Sequence, residues 1–356
     1  MTRLLYILFL LACISTFAQT TENKQSERAT DLLFTNPEKS AKISEKAFVE
    51  AKNYNDKITA LSKLVNAQMI LGDINQVINN SSQGIKLSKE KNDTINQIRF
   101  LSMLGNQYQQ LNMNTDAKKN LDEAENLINT VHLPQNLLFI TGNVYNVKGI
   151  VFKNELNCEF AVKYFNKALE VYNKLPYEEV VVVNKLLIDI QKAVCLEALG
   201  NSKEAESIYK SILNGDTRGI GYNKYYASLG LADIYLKRKE FDNADKMLQT
   251  VNINDFKQYD AELTSLFYKL KAQSSYWKID SKNYLYYFEK YNENSRDILQ
   301  SQNQIVSRLE NIYDTNFSEK SRSMWMRNLS LLSIFLIIFV SLVIFFHHKL
   351  KKDGVI

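Results

Sequence analysis

A short apolar pattern that returns every 36 to 44 residues is the feature that most constrains the fold of this 356-residue chain. Each copy has a small residue, a large residue four positions later and an apolar residue three positions after that. This spacing places all three on one stripe of a helix. The small residue lets two helices approach closely, and the large residue fills the groove beside it. The clearest copies are Ala117, Leu121 and Ala124; Ala161, Phe165 and Ala168; Ala205, Tyr209 and Ile212; and Ala244, Leu248 and Val251.

A second pattern precedes these copies and combines an apolar residue, a glycine or alanine and an aromatic residue at helical spacing. The chain has three prolines and eleven glycines, and alternation typical of strands is nearly absent. The sequence therefore predicts helix after helix. Pro37, Pro134 and Pro176 fall where a helix should begin, the position that proline tolerates best. Copies of the second pattern are Leu101, Gly105 and Tyr108; Tyr145, Gly149 and Phe152; and Leu231, Ala232 and Tyr235.

Together the two patterns resemble the tetratricopeptide repeat (TPR) family, a tandem array of helical hairpins. The family consensus has an aromatic residue, Leu-Gly and Tyr in the first helix, then Ala, Phe and Ala in the second. Lys148 stands where that family has leucine, and no copy carries the family's closing proline in place. The resemblance implies an all-α fold, a TPR-like superhelix of six to seven hairpins over residues 22–299.

In TPR proteins, four positions of each first helix face the concave groove, and the resemblance implies the same for this chain. Asparagine amides can donate to and accept from one peptide backbone, while apolar members of the set can receive side chains. Protein or peptide partners are therefore expected. The implied groove residues are Asn66, Arg99, Ser102, Asn106, Gln109, Asn143, Asn146, Lys153, Leu187, Ile190, Tyr226 and Leu229.

The two ends of the chain are strongly apolar. Residues 329–346 carry no charge, and as a helix they would span roughly 27 Å, about the thickness of the hydrocarbon core. Residues 1–18 have the basic start, apolar stretch and small residues of a secretory signal peptide. We therefore expect a signal peptide, a single transmembrane helix over 329–346 and a cytoplasmic tail over 347–356. The flanking residues expected to anchor the span are Trp325, Arg327, Lys349, Lys351 and Lys352.

This arrangement predicts a single-pass protein of the bacterial inner membrane with its repeat array in the periplasm. Cleavage before Gln19 is the favoured processing, and lipidation at Cys13 is the alternative. Between array and span, isoleucines recur every seven residues from Ile298. Residues 300–327 are thus predicted to form a helical stalk with a short coiled coil, which would also offer a homodimer contact.

The sequence contains none of the motifs that usually mark a metal-binding, phosphate-binding or nucleotide-binding site. The three histidines belong to no metal-ligand pattern, and neither a phosphate-binding nor a nucleotide-binding glycine motif occurs. The sequence predicts no enzyme activity, no metal and no cofactor. The net charge is +5, of which +4 lies in residues 319–356, so the array is close to neutral. A nucleic-acid partner is not expected, since it would need a basic patch on the folded domain.

Cys158 and Cys195 lie in helical contexts, and neither has a CxxC partner. An oxidising compartment would permit a disulfide between them. The sequence favours two buried small side chains and leaves the pairing open.

The order of these parts resembles the sensor half of bacterial membrane-anchored TPR regulators, whose output is a LuxR-type helix-turn-helix or a histidine kinase. Ten residues after the span are too few for such a domain. The sequence therefore predicts a membrane-tethered extracytoplasmic module that binds protein or peptide partners in its groove. Two alternatives stay open: a sensor whose output domain is on a separate chain or lost, and an envelope scaffold resembling a lipoprotein.

Overall fold

The computed structural model divides into two units, Met1–Leu299 and Gln300–Ile356. It describes residues 29–33, 35–176, 178–215, 221–301, 303–304, 307, 322, 324–330 and 332–333. The predicted signal peptide and tail lie outside the described residues, as do residue 331 and residues 334–346 of the predicted span. The described residues of the second unit are helical.

The first unit is built from helices joined by short connectors. Residues 29–32 are helical and precede α1, to which they are tied by a hydrogen bond from Ser40 Oγ to the Ala29 carbonyl oxygen (2.7 Å). Helical residues 281–299 end the unit. The helices between are α1 (Pro37–Glu50), α2 (Tyr54–Leu71), α3 (Ile74–Glu90), α4 (Thr94–Gln110), α5 (Asn114–Ile128), α6 (Leu138–Asn154), α7 (Cys158–Tyr172), α8 (Glu179–Ala198), α9 (Ser202–Asn214), α10 (Lys224–Lys237), α11 (Phe241–Gln249) and α12 (Ala261–Trp277).

The helices pair into hairpins, each with a first helix and a second helix: α2 with α3, α4 with α5, α6 with α7, α8 with α9, and α10 with α11. Helix α12 is followed in the same way by residues 281–299, and α1 is the second helix of an earlier pair. Each helix contacts the next along the chain, and the second helix of one hairpin packs on the first helix of the following one.

The turn inside each hairpin has one recurring conformation, with a residue in the left-handed region of φ. Such a residue ends a helix and frees the chain to reverse. Glycine takes this place at Gly72 (φ +71°) and Gly200 (φ +79°). Elsewhere a residue with a side chain takes it: Asn112, Leu156, Lys239 and Ile279.

The second helices bury one stripe each, and this stripe is the predicted one. Ala117, Leu121 and Ala124 are the buried residues of α5, and Ala161, Phe165 and Ala168 recur on α7. The partner helix offers a glycine to the large residue: a Cβ added at Gly149 would lie 2.5 Å from the ring of Phe165. The absence of a side chain there lets the ring rest on the backbone of α6.

The buried apolar residues form clusters that follow one another along the array. One cluster joins α2, α3 and α4 through Leu61, Val77 and Phe100, and the next joins α4, α5 and α6. The core is therefore a chain of interfaces between neighbours, as in repeat proteins generally.

Within the residues that the structure describes, every helix is either too short or too polar to cross a lipid bilayer. Helix α8 has the 20 residues that a span needs, yet Lys185, Asp189 and Lys192 interrupt it. This finding contradicts the predicted localisation as a single-pass inner-membrane protein. Of the predicted anchors, Trp325 and Arg327 are exposed helical residues, and Lys349, Lys351 and Lys352 lie outside the described residues.

Candidate partner-binding site

The first helices of the hairpins are buried over much more of their surface than the second helices. Helix α2 buries 11 of its 18 residues, whereas α5 buries 3 of 15. The difference arises because a first helix packs against its own hairpin partner, against the preceding second helix and against the first helix of the next hairpin. We call the side chains that lie between successive first helices the inner face.

Polar residues are unusually frequent among the buried positions of the inner face. Asn66, Ser102, Asn106 and Asn143 are each about 5% exposed, and Asn146 is 8% exposed. All five belong to the predicted groove set. Burying an amide or hydroxyl group is costly unless it forms hydrogen bonds, so the partners of these groups decide what the face can do.

Three buried amide groups of the inner face have no hydrogen-bond partner among the described residues. They are Asn66 Oδ1 on α2, Asn146 Oδ1 on α6 and Asn184 Nδ2 on α8. We call these residues the inner-face amides. An unsatisfied buried polar group costs about 1–3 kcal/mol, so each is a position where a bound polar group would stabilise the fold. Two of them present an acceptor and one presents a donor, which matches the two polar groups of a peptide bond.

Asn143 differs from its neighbours because the hydroxyl group of Tyr172 donates a hydrogen bond to its Oδ1. Tyr172 lies on α7, the second helix of the same hairpin, and is 1% exposed. The oxygen of Asn143 is therefore engaged inside the array. Its contribution to partner binding stays a prediction.

The remaining predicted polar positions lie at the two ends of the first helices. Arg99, near the start of α4, and Gln109, near its end, are half-buried, as is Lys153 at the end of α6. The Nζ of Lys153 donates a hydrogen bond to Gln191 Oε1 on α8 at 2.5 Å. This contact ties the end of one first helix to the next.

Lys153 and Glu262 are opposite charges that influence one another from α6 and α12. Burial lowers the pKa of Lys153, and the charge of Glu262 partly offsets that effect. Burial raises the pKa of Glu262, and Lys153 opposes the rise. Neither side chain forms an ion pair with another described residue. Glu262 lies at the start of α12, where its side chain is exposed to solvent.

The predicted apolar half of the groove lies in the hydrophobic core. Leu187 and Ile190 are 7% and 2% exposed and pack in a cluster with Tyr209 and Leu231. Leu229 is fully buried in the following cluster. These side chains hold neighbouring hairpins together, and a role in contacting a partner stays a prediction.

Tyr226 is half-buried, and its hydroxyl group donates a hydrogen bond to Asp260 Oδ2 at 2.8 Å. Asp260 is 2% exposed, and its Oδ1 accepts the backbone N–H of Leu263 at 2.9 Å, which caps the start of α12. Burial, followed by the charge of Asp260, raises the pKa of Tyr226 well above its ordinary value. Tyr226 therefore joins α10 to α12.

The sequence prediction did not include Asn184, Gln191 or Glu262. Asn184 lies one helical turn before Leu187, a predicted groove residue, on the same stripe of α8. That spacing was the signal that could have located it. Gln191 is brought to Lys153 by packing between hairpins, and Glu262 belongs to a helix distant in sequence from both.

No protein-family model matches the sequence. Several solved structures are similar to it. The apo form of RapI is 16% identical over 77% of this chain and 76% of that one, with a TM-score of 0.55. The apo form of the quorum sensor NprR from B. thuringiensis is 15% identical over 76% and 74%, with a TM-score of 0.54.

A Rap protein complexed with competence and sporulation factor is 14% identical over 84% and 86%, with a TM-score of 0.53. A tetratricopeptide repeat protein from Parabacteroides merdae ATCC 43184 is 15% identical over 79% and 97%, with a TM-score of 0.51. At this level of identity the likeness concerns the fold. It confirms the predicted all-helical, TPR-like superhelix, and it does not extend to the predicted transmembrane helix.

Proposed function

We propose that this chain is a protein–protein interaction module whose inner face takes an extended segment of a partner. The observation that carries the proposal is the set of inner-face amides, whose polar atoms are buried without partners among the described residues on the first helices α2, α6 and α8. A peptide backbone supplies alternating N–H and C=O groups, which are the groups these amides lack.

Two charged residues of the chain bear on the direction in which the proposed partner segment would bind. Lys153 on α6 and Glu262 on α12 carry opposite charges that influence one another, and they belong to different hairpins. A segment with an acidic side chain near one end and a basic side chain near the other would pair with both groups in one direction only. These charges would thus set the polarity of binding.

The probes are linear peptides selected from a phage-displayed library by their binding to the full chain. Their affinity is then compared between the natural chain and the variants Asn146→Leu and Asn66→Leu. Each leucine removes a buried unsatisfied amide, so the unfolding midpoint should stay unchanged or rise. Affinity for a selected peptide, measured by isothermal titration calorimetry, should fall roughly tenfold or more, since a lost buried hydrogen bond is worth about that much.

Asn166→Leu is the matched control, because Asn166 is an exposed asparagine on the second helix α7. It should leave the affinity as it is. If the two inner-face variants bind the selected peptides normally while Asn166→Leu weakens them, the binding surface lies on the outside of the array and the proposal is wrong.

The second candidate is a sensor whose output domain is on a separate chain. One observation favours it: two of the similar structures are a quorum sensor and a Rap protein complexed with competence and sporulation factor. The two candidates differ in what a bound segment does. A sensor should change its affinity for a second protein when a selected peptide is added, and a simple scaffold should not.

A further inference from the structure

We infer that Cys158 and Cys195 form a reversible disulfide that clamps the hairpin α6–α7 to α8 beside the inner face. Cys158 is the first residue of α7, and Cys195 lies in the last turn of α8. Their Sγ atoms are 2.7 Å apart. Non-bonded carbon atoms, which are smaller than sulfur, prefer a separation of roughly 3.5–4.0 Å. The two sulfur atoms are therefore closer than an ordinary non-bonded contact. Very little movement separates this contact from a bonded length of about 2.05 Å.

The two thiols differ in access, which sets the order of the reaction. Cys158 is half-buried and Cys195 is fully buried. A soluble oxidant therefore reaches Cys158 first. Lys153, at the end of α6, interacts electrostatically with both sulfur atoms.

A low-molecular-weight disulfide, such as oxidised glutathione, supplies the oxidising equivalents. The Cys158 thiolate attacks one sulfur of glutathione disulfide, the glutathione S–S bond breaks, and one glutathione thiol leaves with the proton that Cys158 gave up. Cys195 then attacks Sγ of Cys158, and the second glutathione thiol leaves with the proton of Cys195. Two cysteine thiols are oxidised to one disulfide, while one glutathione disulfide is reduced to two thiols.

Burial, followed by the hydrogen bond and charge of Cys158, raises the pKa of Cys195 to about 12. Two of these three causes come from the Cys158 thiol itself. They disappear once Cys158 is joined to glutathione, so the Cys195 thiol becomes easier to ionise at the step that requires its attack.

The position of the pair connects it to the inner face. Gln191 lies one turn before Cys195 on α8, and Lys153 lies five residues before Cys158. The Lys153–Gln191 hydrogen bond and the cysteine pair therefore span the same two hairpins. A disulfide would fix the start of α7 against the last turn of α8; the inner-face amides Asn146 and Asn184 lie on α6 and α8, 12 and 11 residues along the sequence from the two cysteines. The effect of the disulfide on binding rests on the proposed function, whereas its formation does not.

The test uses the full chain carrying Cys13→Ser, incubated with oxidised glutathione or with dithiothreitol. Mass spectrometry should find that the oxidised chain has lost two hydrogen atoms and contains a peptide linking Cys158 to Cys195. Thermal unfolding of the oxidised chain should shift upward by roughly 5 °C. With Cys195→Ser added, the second step is blocked and glutathione should remain attached to Cys158.

An oxidised chain that carries glutathione on Cys158 and no Cys158–Cys195 link would overturn the inference. A Cys158–Cys195 link without any rise in the unfolding temperature would contradict the claim that the disulfide holds the hairpin α6–α7 against α8. Affinity for a library-selected peptide should differ at least threefold between the crosslinked and reduced chains, and equal affinities would overturn the regulatory part. A chain that selects no peptide in either state counts against the proposed function alone.

Discussion

The ammonium group of Lys148 on α6 contacts the carboxylate of Glu125 on α5, although the TPR family has leucine at the lysine position. Lys148 is 4% exposed and also pairs with Asp122 at 2.5 Å. Glu125 accepts hydrogen bonds from the Tyr164 hydroxyl group (3.0 Å) and from Lys167 (2.9 Å), both on α7. One carboxylate therefore joins three successive helices. The departure from the family pattern is a polar contact built into the core.

Replacing Lys148 with leucine introduces the residue that the TPR consensus has at this position and should nevertheless destabilise the protein. Glu125 would keep Lys167 and Tyr164 but lose its most buried partner, so we expect the free energy of unfolding to fall by about 2–4 kcal/mol. Urea unfolding measures the change. In Lys148→Leu/Glu125→Leu the orphaned carboxylate is also removed, and much of the loss should be recovered. Lys46→Leu, at an exposed pair with Glu50, is the control and should have no measurable effect. A more stable Lys148→Leu variant would contradict the role given to this pair.

The same carboxylate makes stability depend on pH in the acid range. Burial pushes the pKa of Glu125 upward, but the hydrogen bonds from Lys148 and Lys167 outweigh it and hold the pKa below its ordinary value. The stability that Glu125 contributes is thus present above its unfolded pKa of about 4.3 and is lost as the pH falls through the lower folded pKa. The stability difference between the natural chain and Glu125→Gln should be full at pH 7 and should shrink below about pH 4. Urea unfolding across this range checks it, and a difference that grows on acidification would show that the sign is wrong.

Gly84→Ala should destabilise the array although alanine is the better helix former. A Cβ at Gly84 on α3 would lie 2.5 Å from Cγ of Phe100, a fully buried ring on α4. The helix-propensity gain is about 1 kcal/mol, whereas overpacking costs about 1–3 kcal/mol, and this ring has little room to move. We expect a net loss of about 1–2 kcal/mol by chemical denaturation. Ser82→Ala, at an exposed position of the same helix, should be neutral or stabilising. Equal effects at the two positions would mean that α3 and α4 can separate without cost.

Two equivalent hairpin turns allow substitutions in opposite directions, one to glycine and one from glycine. Ile279 has φ +59° and is 89% exposed, so its branched side chain is strained and makes little contact. Ile279→Gly should raise the free energy of unfolding by about 0.5–1 kcal/mol after the added chain entropy is counted. Gly200→Ala, at the equivalent turn with φ +79° and open space around it, should lower it by about 1–2 kcal/mol. Differential scanning calorimetry of both variants tests the pair. Shifts of the same sign would contradict the strain attributed to these turns.

Sequence reasoning located the features that depend on spacing within one helix. The stripe of Ala161, Phe165 and Ala168 is buried as predicted, because three residues on one face of a helix must pack together whatever surrounds them. Pro37 is the first residue of α1, as its chemistry requires.

Features that depend on how separate helices approach one another could not be predicted from a single sequence. The Lys148–Glu125 contact and the Cys158–Cys195 contact join residues 23 and 37 positions apart, and no local pattern marks either pair. Leu187 packs in the core between neighbouring hairpins, and a single sequence does not show which side chains of other helices cover it.

The succession of apolar clusters along the array has a consequence for how the molecule opens. Each hairpin is stabilised by its immediate neighbours, so hydrogen exchange should proceed hairpin by hairpin, fastest at the outer pairs and slowest in the middle. A partner lying across several hairpins would couple units that otherwise fluctuate separately. Binding of the partner would then slow hydrogen exchange even in hairpins that the partner does not contact.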